Sequence, residues 1–369
     1  MIFTDLHKNV VWENEKESIY KKNESDVEQA LKKNKRDLED FKALISPAAA
    51  PYLETMANLS NKLTMKRFGK TVQMYIPIYL SNECSNHCVY CGFNHANKID
   101  RITLNDEQIL AEMEVVKSYG FQHVLLVTGE HKTKAGVEYL KHAIQLLKPH
   151  FSLISLEVQP LETEEYKILA EEGLNTVYVY QETYNKLNYN NYHPKGKKAD
   201  FNYRLETPDR LGNAGVHKIG LGVLLGLEDW RTDTFFTALH LKYLEKNYWK
   251  TKYSISFPRL RPHEGGFVPN HNLTERELVQ LICAYRIFDE EVELSISVRE
   301  SPKFRDNCIK FGITSMSAGS KTEPGGYTAN NKALKQFMED DQRSPSEIMQ
   351  MIKQQGYEVV WKDWDKFLQ

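Results

Sequence analysis

The rhythm of hydrophobic and polar positions changes once along this chain. Up to residue 70 the chain is mostly polar, and apolar side chains recur at helical spacing, as over 26–34 and 46–64, where Ser46-Pro47 opens a helix. From residue 71 short apolar runs alternate with amphipathic stretches, and Gly, Pro, Asn or Asp separate them. The runs predict strands over 72–80, 123–128, 153–159, 176–181, 218–225, 253–260, 293–299 and 314–320. Between them the pattern predicts helices over 105–119, 135–147, 163–172, 203–214, 232–248, 275–288 and 303–311. Gly120, Gly173, Gly215 and Gly312 follow four of these helices, where a left-handed residue commonly closes a helix. Roughly thirty residues from one strand to the next is the length of a βαβ unit. About eight strands in strict βαβα order are the number that closes a parallel (β/α)8 barrel of the TIM type. An open doubly wound sheet is the alternative, but no G-x-G-x-x-G turn follows Leu80. The expected division is a helical extension (1–70), an α/β barrel (71–320) and a C-terminal extension (321–369) that closes the barrel. That last part carries a helix over 345–355 and an aromatic tail of Tyr357, Trp361 and Trp364.

Composition narrows the class. The 369 residues are 41% hydrophobic and 27% charged, which suits a soluble globular protein. A net charge of −2 gives no reason to expect a nucleic acid or an anionic lipid surface as partner. The longest apolar runs, such as 219–227, fall far short of the ~20 residues that span a bilayer. No apolar signal core follows Met1, so no export signal is visible and a reducing cytoplasm is the expected compartment.

Cysteine usage points to chemistry. Three of the five cysteines, Cys84, Cys88 and Cys91, fall within eight residues, which is no disulfide framework. Their spacing is C-x3-C-x2-C. A closed zinc site would need a fourth ligand, which His87 or His95 would have to supply. Three thiolates suit a 4Fe-4S cluster whose fourth iron stays open, whereas four cysteines make the ordinary electron-transfer arrangement. This is the motif of the radical S-adenosylmethionine (SAM) superfamily. It begins just after the first strand, hence at the mouth where barrel enzymes keep their chemistry. Tyr90, just before the third cysteine, packs the loop or meets the adenine of the nucleotide. Cys283 and Cys308 lie in helical patterns and read as buried apolar residues.

The other strand ends should aim polar residues at the same cavity. Strand two ends Thr128-Gly129-Glu130, where a glycine lets the backbone approach a ligand and the polar edge can bind an ammonium. Strand three carries Glu157 and Gln159 at alternate positions, and strand four ends with Gln181 and Glu182. Strand six brings Arg259 and Arg261, strand seven Ser295, Ser297 and Arg299, and strand eight Ser315 and Ser317. A guanidinium at a barrel mouth suits two-pronged capture of a carboxylate. Arg299 with Ser317 is the preferred clamp. An internal ion pair of Arg299 with Glu300 or Glu264 is the alternative.

Taken together, the cluster motif, Thr128-Gly129-Glu130, Glu157-Val158-Gln159-Pro160, 180–184, 204–210, 256–262 and 299–302 resemble the 2-iminoacetate synthase family, as does the tail at 360–365. The resemblance runs essentially end to end. It implies a radical SAM tyrosine lyase of thiamine thiazole biosynthesis, with a 4Fe-4S cluster on Cys84, Cys88 and Cys91. It implies SAM contacts at Tyr90, Gly129, Glu130, Glu157, Gln181, Glu182 and Arg204, and a grip of Arg299 and Ser317 on the carboxylate of L-tyrosine. In that family SAM is cleaved reductively to methionine and a 5'-deoxyadenosyl radical, which takes hydrogen from the substrate amino group. The Cα–Cβ bond then breaks to give p-cresol and 2-iminoacetate. Thiazole synthase is the implied protein partner, and a flavodoxin- or ferredoxin-type protein the implied one-electron reductant. A related tyrosine lyase that matures FeFe-hydrogenase adds a second cysteine-ligated cluster, for which no cysteine follows Cys308 here. A tryptophan lyase of the same superfamily and a zinc-stabilised binding module without chemistry are the remaining alternatives.

Overall fold

The computed structural model of the protein describes residues 2–328 and 333–361, so the tail beyond Trp361, with Trp364, lies outside the described residues. Five helices come first: α1 (Phe3–Lys8), α2 (Trp12–Tyr20), α3 (Glu24–Lys32), α4 (Leu38–Ile45) and α5 (Leu53–Phe68). Asn23 and Asp37 cap α3 and α4 with reciprocal side-chain bonds to the third helical residue, which satisfies free amides at each start. Then follow β1 (Thr71–Ser81), α6 (Asp106–Ser118), β2 (His123–Thr128), α7 (Val137–Leu147), β3 (Leu153–Glu157), α8 (Thr163–Glu172) and β4 (Leu174–Tyr178). The next crossover is broken into α9 (Tyr189–Tyr192), α10 (Phe201–Leu205) and α11 (Thr207–Asn213). The sequence pattern predicts one helix over 203–214. Pro208, which has no N–H to donate, starts a second helix there instead. The barrel continues with β5 (Lys218–Gly222), α12 (Trp230–Asn247), β6 (Lys252–Ser256), α13 (Glu275–Phe288), β7 (Glu293–Ile296), α14 (Pro302–Cys308) and β8 (Ser315–Ser317). After it come α15 (Pro345–Gln354) and β9 (Glu358–Val360).

Strands β1 to β8 pair in sequence order, all parallel, and β1 bonds both β2 and β8, so the sheet closes on itself. The short β9 joins the first residues of β1 as an added parallel strand. The two faces of β1 show how the barrel sorts its side chains. Met74, Ile76, Ile78 and Leu80 are fully buried in the main hydrophobic core, while Tyr75, Pro77 and Tyr79 line the interior cavity.

The N-terminal helices pack on the outer ring. Phe3 stacks on His240 of α12 with ring centres 3.7 Å apart, and Gln280 of α13 donates to the carbonyls of Leu44 and Ser46. Several strands end sooner than their apolar patterns suggest: β3 at Glu157, β4 at Tyr178 and β7 at Ile296. Beyond these points the chain stays buried, so the pattern persists, but it leaves the ladder to shape the mouth of the barrel.

Candidate active site

Ladder pairing ends at Ser81, and residues 82–98 cross the C-terminal mouth without helix or strand. A chain in this state needs other partners for its backbone, and side chains supply them. Arg101 donates to the carbonyls of Asn82, Phe93, Asn94 and Asn97, and Asn94 and the His95 ring bond the carbonyls of Cys88 and Cys84. Gly92 is small because a strap from the C-terminal segment lies on it. A Cβ there would stand 2.7 Å from the Lys335 carbonyl oxygen.

Cys84, Cys88 and Cys91 all face one cavity inside the barrel mouth. Burial pushes the Cys91 thiol up to about 11 and raises Cys84 and Cys88 as well. Buried thiols of this kind become ligands when a metal supplies the positive charge that removes their protons. Among the described residues no group of three His, Cys, Asp or Glu is arranged to hold a single metal ion. A cubane instead takes each thiolate on a different iron, and the donor set fits it. Cys283 and Cys308 are buried in α13 and α14 and lie away from the cavity.

Beside the thiols lies a closed ring of charge. Lys198 Nζ is 2.7 Å from Glu182, Glu182 is 3.7 Å from Arg204, and Arg204 is 2.9 Å from Glu130. Asn86, from the cysteine loop, closes the ring by donating to Glu130 at 2.7 Å and accepting the Lys198 amide at 3.0 Å. Although burial alone would push Glu130 up, Arg204 and Lys198 hold its carboxyl below the ordinary range. Glu182 is the one non-glycine described residue with positive φ, at 70°. Such a backbone costs on the order of 1 kcal/mol and is kept where neighbours over-determine it. Gly129 lines the cavity, but its own packing already demands glycine, since a Cβ would lie 2.3 Å from the Glu83 carbonyl oxygen.

Tyr90 is held from behind. The Nδ1 of His193 faces the Tyr189 carbonyl at 2.9 Å, so Nδ1 carries the proton and Nε2 accepts from the Tyr90 hydroxyl at 2.7 Å. Burial first, then Lys198 and Arg204, keep His193 well below its ordinary pKa and therefore neutral.

Glu157 stands in the cavity wall, and none of the described ion pairs takes its carboxylate. Burial raises it to about 7, against a partial pull downward from Arg299. Between pH 4.5 and about 7 the folded chain thus holds a proton that the unfolded chain has lost, so stability falls as pH rises through that window. Glu157→Gln is expected to flatten this fall, by at most on the order of 2–3 kcal/mol, since the carboxylate still meets the open cavity. Urea midpoints of cluster-free protein at about pH 5 and about pH 8 measure it, and equal differences in both proteins would refute the assignment.

On the opposite wall, Arg299 lies beyond the end of β7, in the turn that follows. Its guanidinium sits 3.4 Å from the Phe337 ring centre and donates to the Arg259 carbonyl at 3.3 Å. None of the described salt bridges gives it a carboxylate, because Glu300, fully buried, takes both Arg259 and Arg261. The expected internal pair therefore forms, but with the other two arginines. Ser317 and Ser320 line the same cavity with buried hydroxyls that find no hydrogen-bond partner, and Thr128 does likewise near the loop. Orphaned hydroxyls aimed into a cavity are the positions a polar ligand satisfies.

Some expected residues stay out. Gln181 is buried but does not line the cavity, while its neighbours Tyr180 and Glu182 do. Gln159, expected to share a face with Glu157, turns to the Ala135 carbonyl. Other residues were not anticipated. Lys198 belongs to a lysine-rich stretch that turns inward after Gly196, whose φ is 102° and whose Cβ would strike Asn86 at 2.3 Å. Gln336 reaches the cavity from far along the chain, bonds Tyr79 and lies 4.0 Å from the Cys91 sulfur. No periodicity could have found it.

A closed (β/α)8 barrel whose mouth holds a three-cysteine loop above a charged, half-open cavity defines a radical SAM enzyme, and the Radical SAM superfamily model matches residues 78–238. The Biotin and Thiamin Synthesis associated domain matches residues 256–358. The chain is 48% identical to the 2-iminoacetate synthase of Escherichia coli (strain K12) over 367 residues, covering 99% of this chain and 97% of that one. It belongs to the 2-iminoacetate synthase family. The FeFe-hydrogenase maturase HydG from Carboxydothermus hydrogenoformans superposes with a TM-score of 0.86 at 26% identity, over 97% of this chain and 82% of that one. Methylornithine synthase (PylB) shares the fold, with a TM-score of 0.74 at 19% identity over 91% of this chain and 97% of that one. The zinc-stabilised binding module falls away. No helix among the described residues is long and apolar enough to cross a membrane.

Proposed function

We propose that this chain is a radical SAM lyase that cleaves L-tyrosine between Cα and Cβ, giving p-cresol and 2-iminoacetate for the thiazole of thiamine. The observation that carries the reading is that Cys84, Cys88, Cys91 and the carboxylate-free guanidinium of Arg299 line one cavity. Family membership supplies the reaction. When bound on the three cysteines, the cluster with SAM supplies a 5'-deoxyadenosyl radical, leaving 5'-deoxyadenosine and methionine as co-products.

The chain's own residues do the rest. Glu130 and Arg204 offer opposite charges to the amino-acid head of SAM, and Gly129, Glu157 and Glu182 stand beside them. Tyr90, its hydroxyl fixed on His193, presents a rigid ring beside the second and third cysteines. Gln181 lies behind this wall and drops out of the contact set. Arg299 and the free hydroxyl of Ser317 take the tyrosine carboxylate, which orients the amino group toward the cluster side. Gln336 and Phe337, from the strap, help to shut water from the mouth, which protects an imine that water hydrolyses. Thiazole synthase as acceptor, a flavodoxin- or ferredoxin-type protein as reductant and a cytoplasmic setting complete the reading.

Anaerobic purification tests it. The expected protein is brown with about four irons per chain, and with SAM, reductant and tyrosine it releases p-cresol. A colourless protein, or turnover of tryptophan in place of tyrosine, would overturn the reading.

A further inference from the structure

Four charged side chains line the cavity beside the cysteine loop, and they alternate: Lys198, Glu182, Arg204, Glu130. Lys198 differs from the other cation in its tie to the cysteine loop. It lines the same cavity as Cys84, Cys88 and Cys91 and is bonded through its backbone to the loop that carries them, whereas Arg204 is bonded to the Tyr180 carbonyl and Glu130. Its place is fixed by three contacts. The backbone amide bonds Asn86, between the first two cysteines, and the ammonium lies 2.7 Å from Glu182 and 5.7 Å from the Tyr90 ring centre. Only 11% of the side chain is exposed, so salt and water screen this charge weakly.

The geometry points to Lys198 as a positioning residue that sets the reduction potential of the cluster, holding it high enough for a physiological donor to deliver the electron. The inference rests on the reading that Cys84, Cys88 and Cys91 hold a 4Fe-4S cluster. Cluster potentials follow the net charge and solvation around them. One electron passes from the reductant to the cluster, which adds one negative charge there. A fixed cation lowers the energy of that charge and leaves the oxidised state less favoured. Removing Lys198 leaves one carboxylate of the ring in excess, with Arg204 3.7 Å from Glu182 as its remaining cation.

The test is an anaerobic redox titration of the cluster-loaded enzyme, followed by its visible absorbance and by the spin signal of the reduced state. Lys198→Met is expected to make reduction about tenfold less favourable, which for one electron is about 59 mV more negative. Lys198→Arg should keep the wild-type potential. Lys198→Met/Glu182→Gln, which restores neutrality, should return most of the shift. Should Lys198→Met fail to hold a cluster, Glu182→Gln alone carries the test, with a shift in the opposite, positive direction. A wild-type potential in loaded Lys198→Met, or in loaded Glu182→Gln, overturns the inference while leaving the cluster assignment intact. Failure of the unaltered protein to take up any cluster overturns the functional reading instead.

Discussion

Alanine at any one of Cys84, Cys88 or Cys91 is expected to abolish the loaded cluster, while alanine at Cys283 or Cys308 leaves iron content at the wild-type level. The difference follows from where the thiols face. The first three border a common cavity and sit in a loop already held by Arg101, Asn94 and His95, so each deletion removes one anchor and nothing nearby replaces it. His95 is no substitute, since it does not line the cavity that the thiols face. Cys283 and Cys308 are wholly enclosed in helices, with their sulfurs against the backbone oxygens of Phe311 and Arg305. Their loss opens a small void that costs on the order of 1 kcal/mol and touches no ligand. Iron per chain after anaerobic reconstitution decides the matter. A full complement of iron in Cys88→Ala would sink the cluster assignment.

Arg299→Lys is expected to keep the cluster and SAM binding yet lose most p-cresol formation, on the order of 10²-fold, while some 5'-deoxyadenosine is still made. Of Arg259, Arg261 and Arg299, it is Arg299 that Glu300 does not claim, and its guanidinium carbon lies 3.4 Å over the Phe337 ring centre. A planar fork can hold both oxygens of a carboxylate, but an ammonium cannot reproduce that geometry. Misplacing a substrate by about 1 Å can cost about 10²-fold in rate, and here a shifted amino group would no longer meet the radical. SAM cleavage needs no such alignment, so the two products should part company. Parallel assays of 5'-deoxyadenosine and p-cresol read the split. Normal p-cresol from Arg299→Lys, or loss of SAM binding instead, would remove Arg299 from the substrate clamp.

The sequence by itself determined whatever depends on near neighbours along the chain. Strand and helix order came from periodicity, and β2, α8 and α13 begin and end where their patterns do. That the C-x3-C-x2-C loop, the Thr128-Gly129-Glu130 turn and Arg299 border one cavity was readable because each lies within a few positions of a strand end.

Tertiary structure decided which polar residues meet. Glu182 faces the cavity and Gln181 does not, because the backbone at Glu182 takes a positive φ while its carboxylate is drawn between Lys198 and Arg204. Arg259 and Arg261 reach the same mouth as Arg299, but Glu300 binds both and leaves Arg299 without a carboxylate among the described ion pairs. Lys198 enters the site only because Gly196 folds its stretch against Asn86, and Gln336 because the C-terminal strap rests on Gly92. Burial of a charge is a long-range property: it depends on partners brought from elsewhere in the chain, and local patterning carries no record of them.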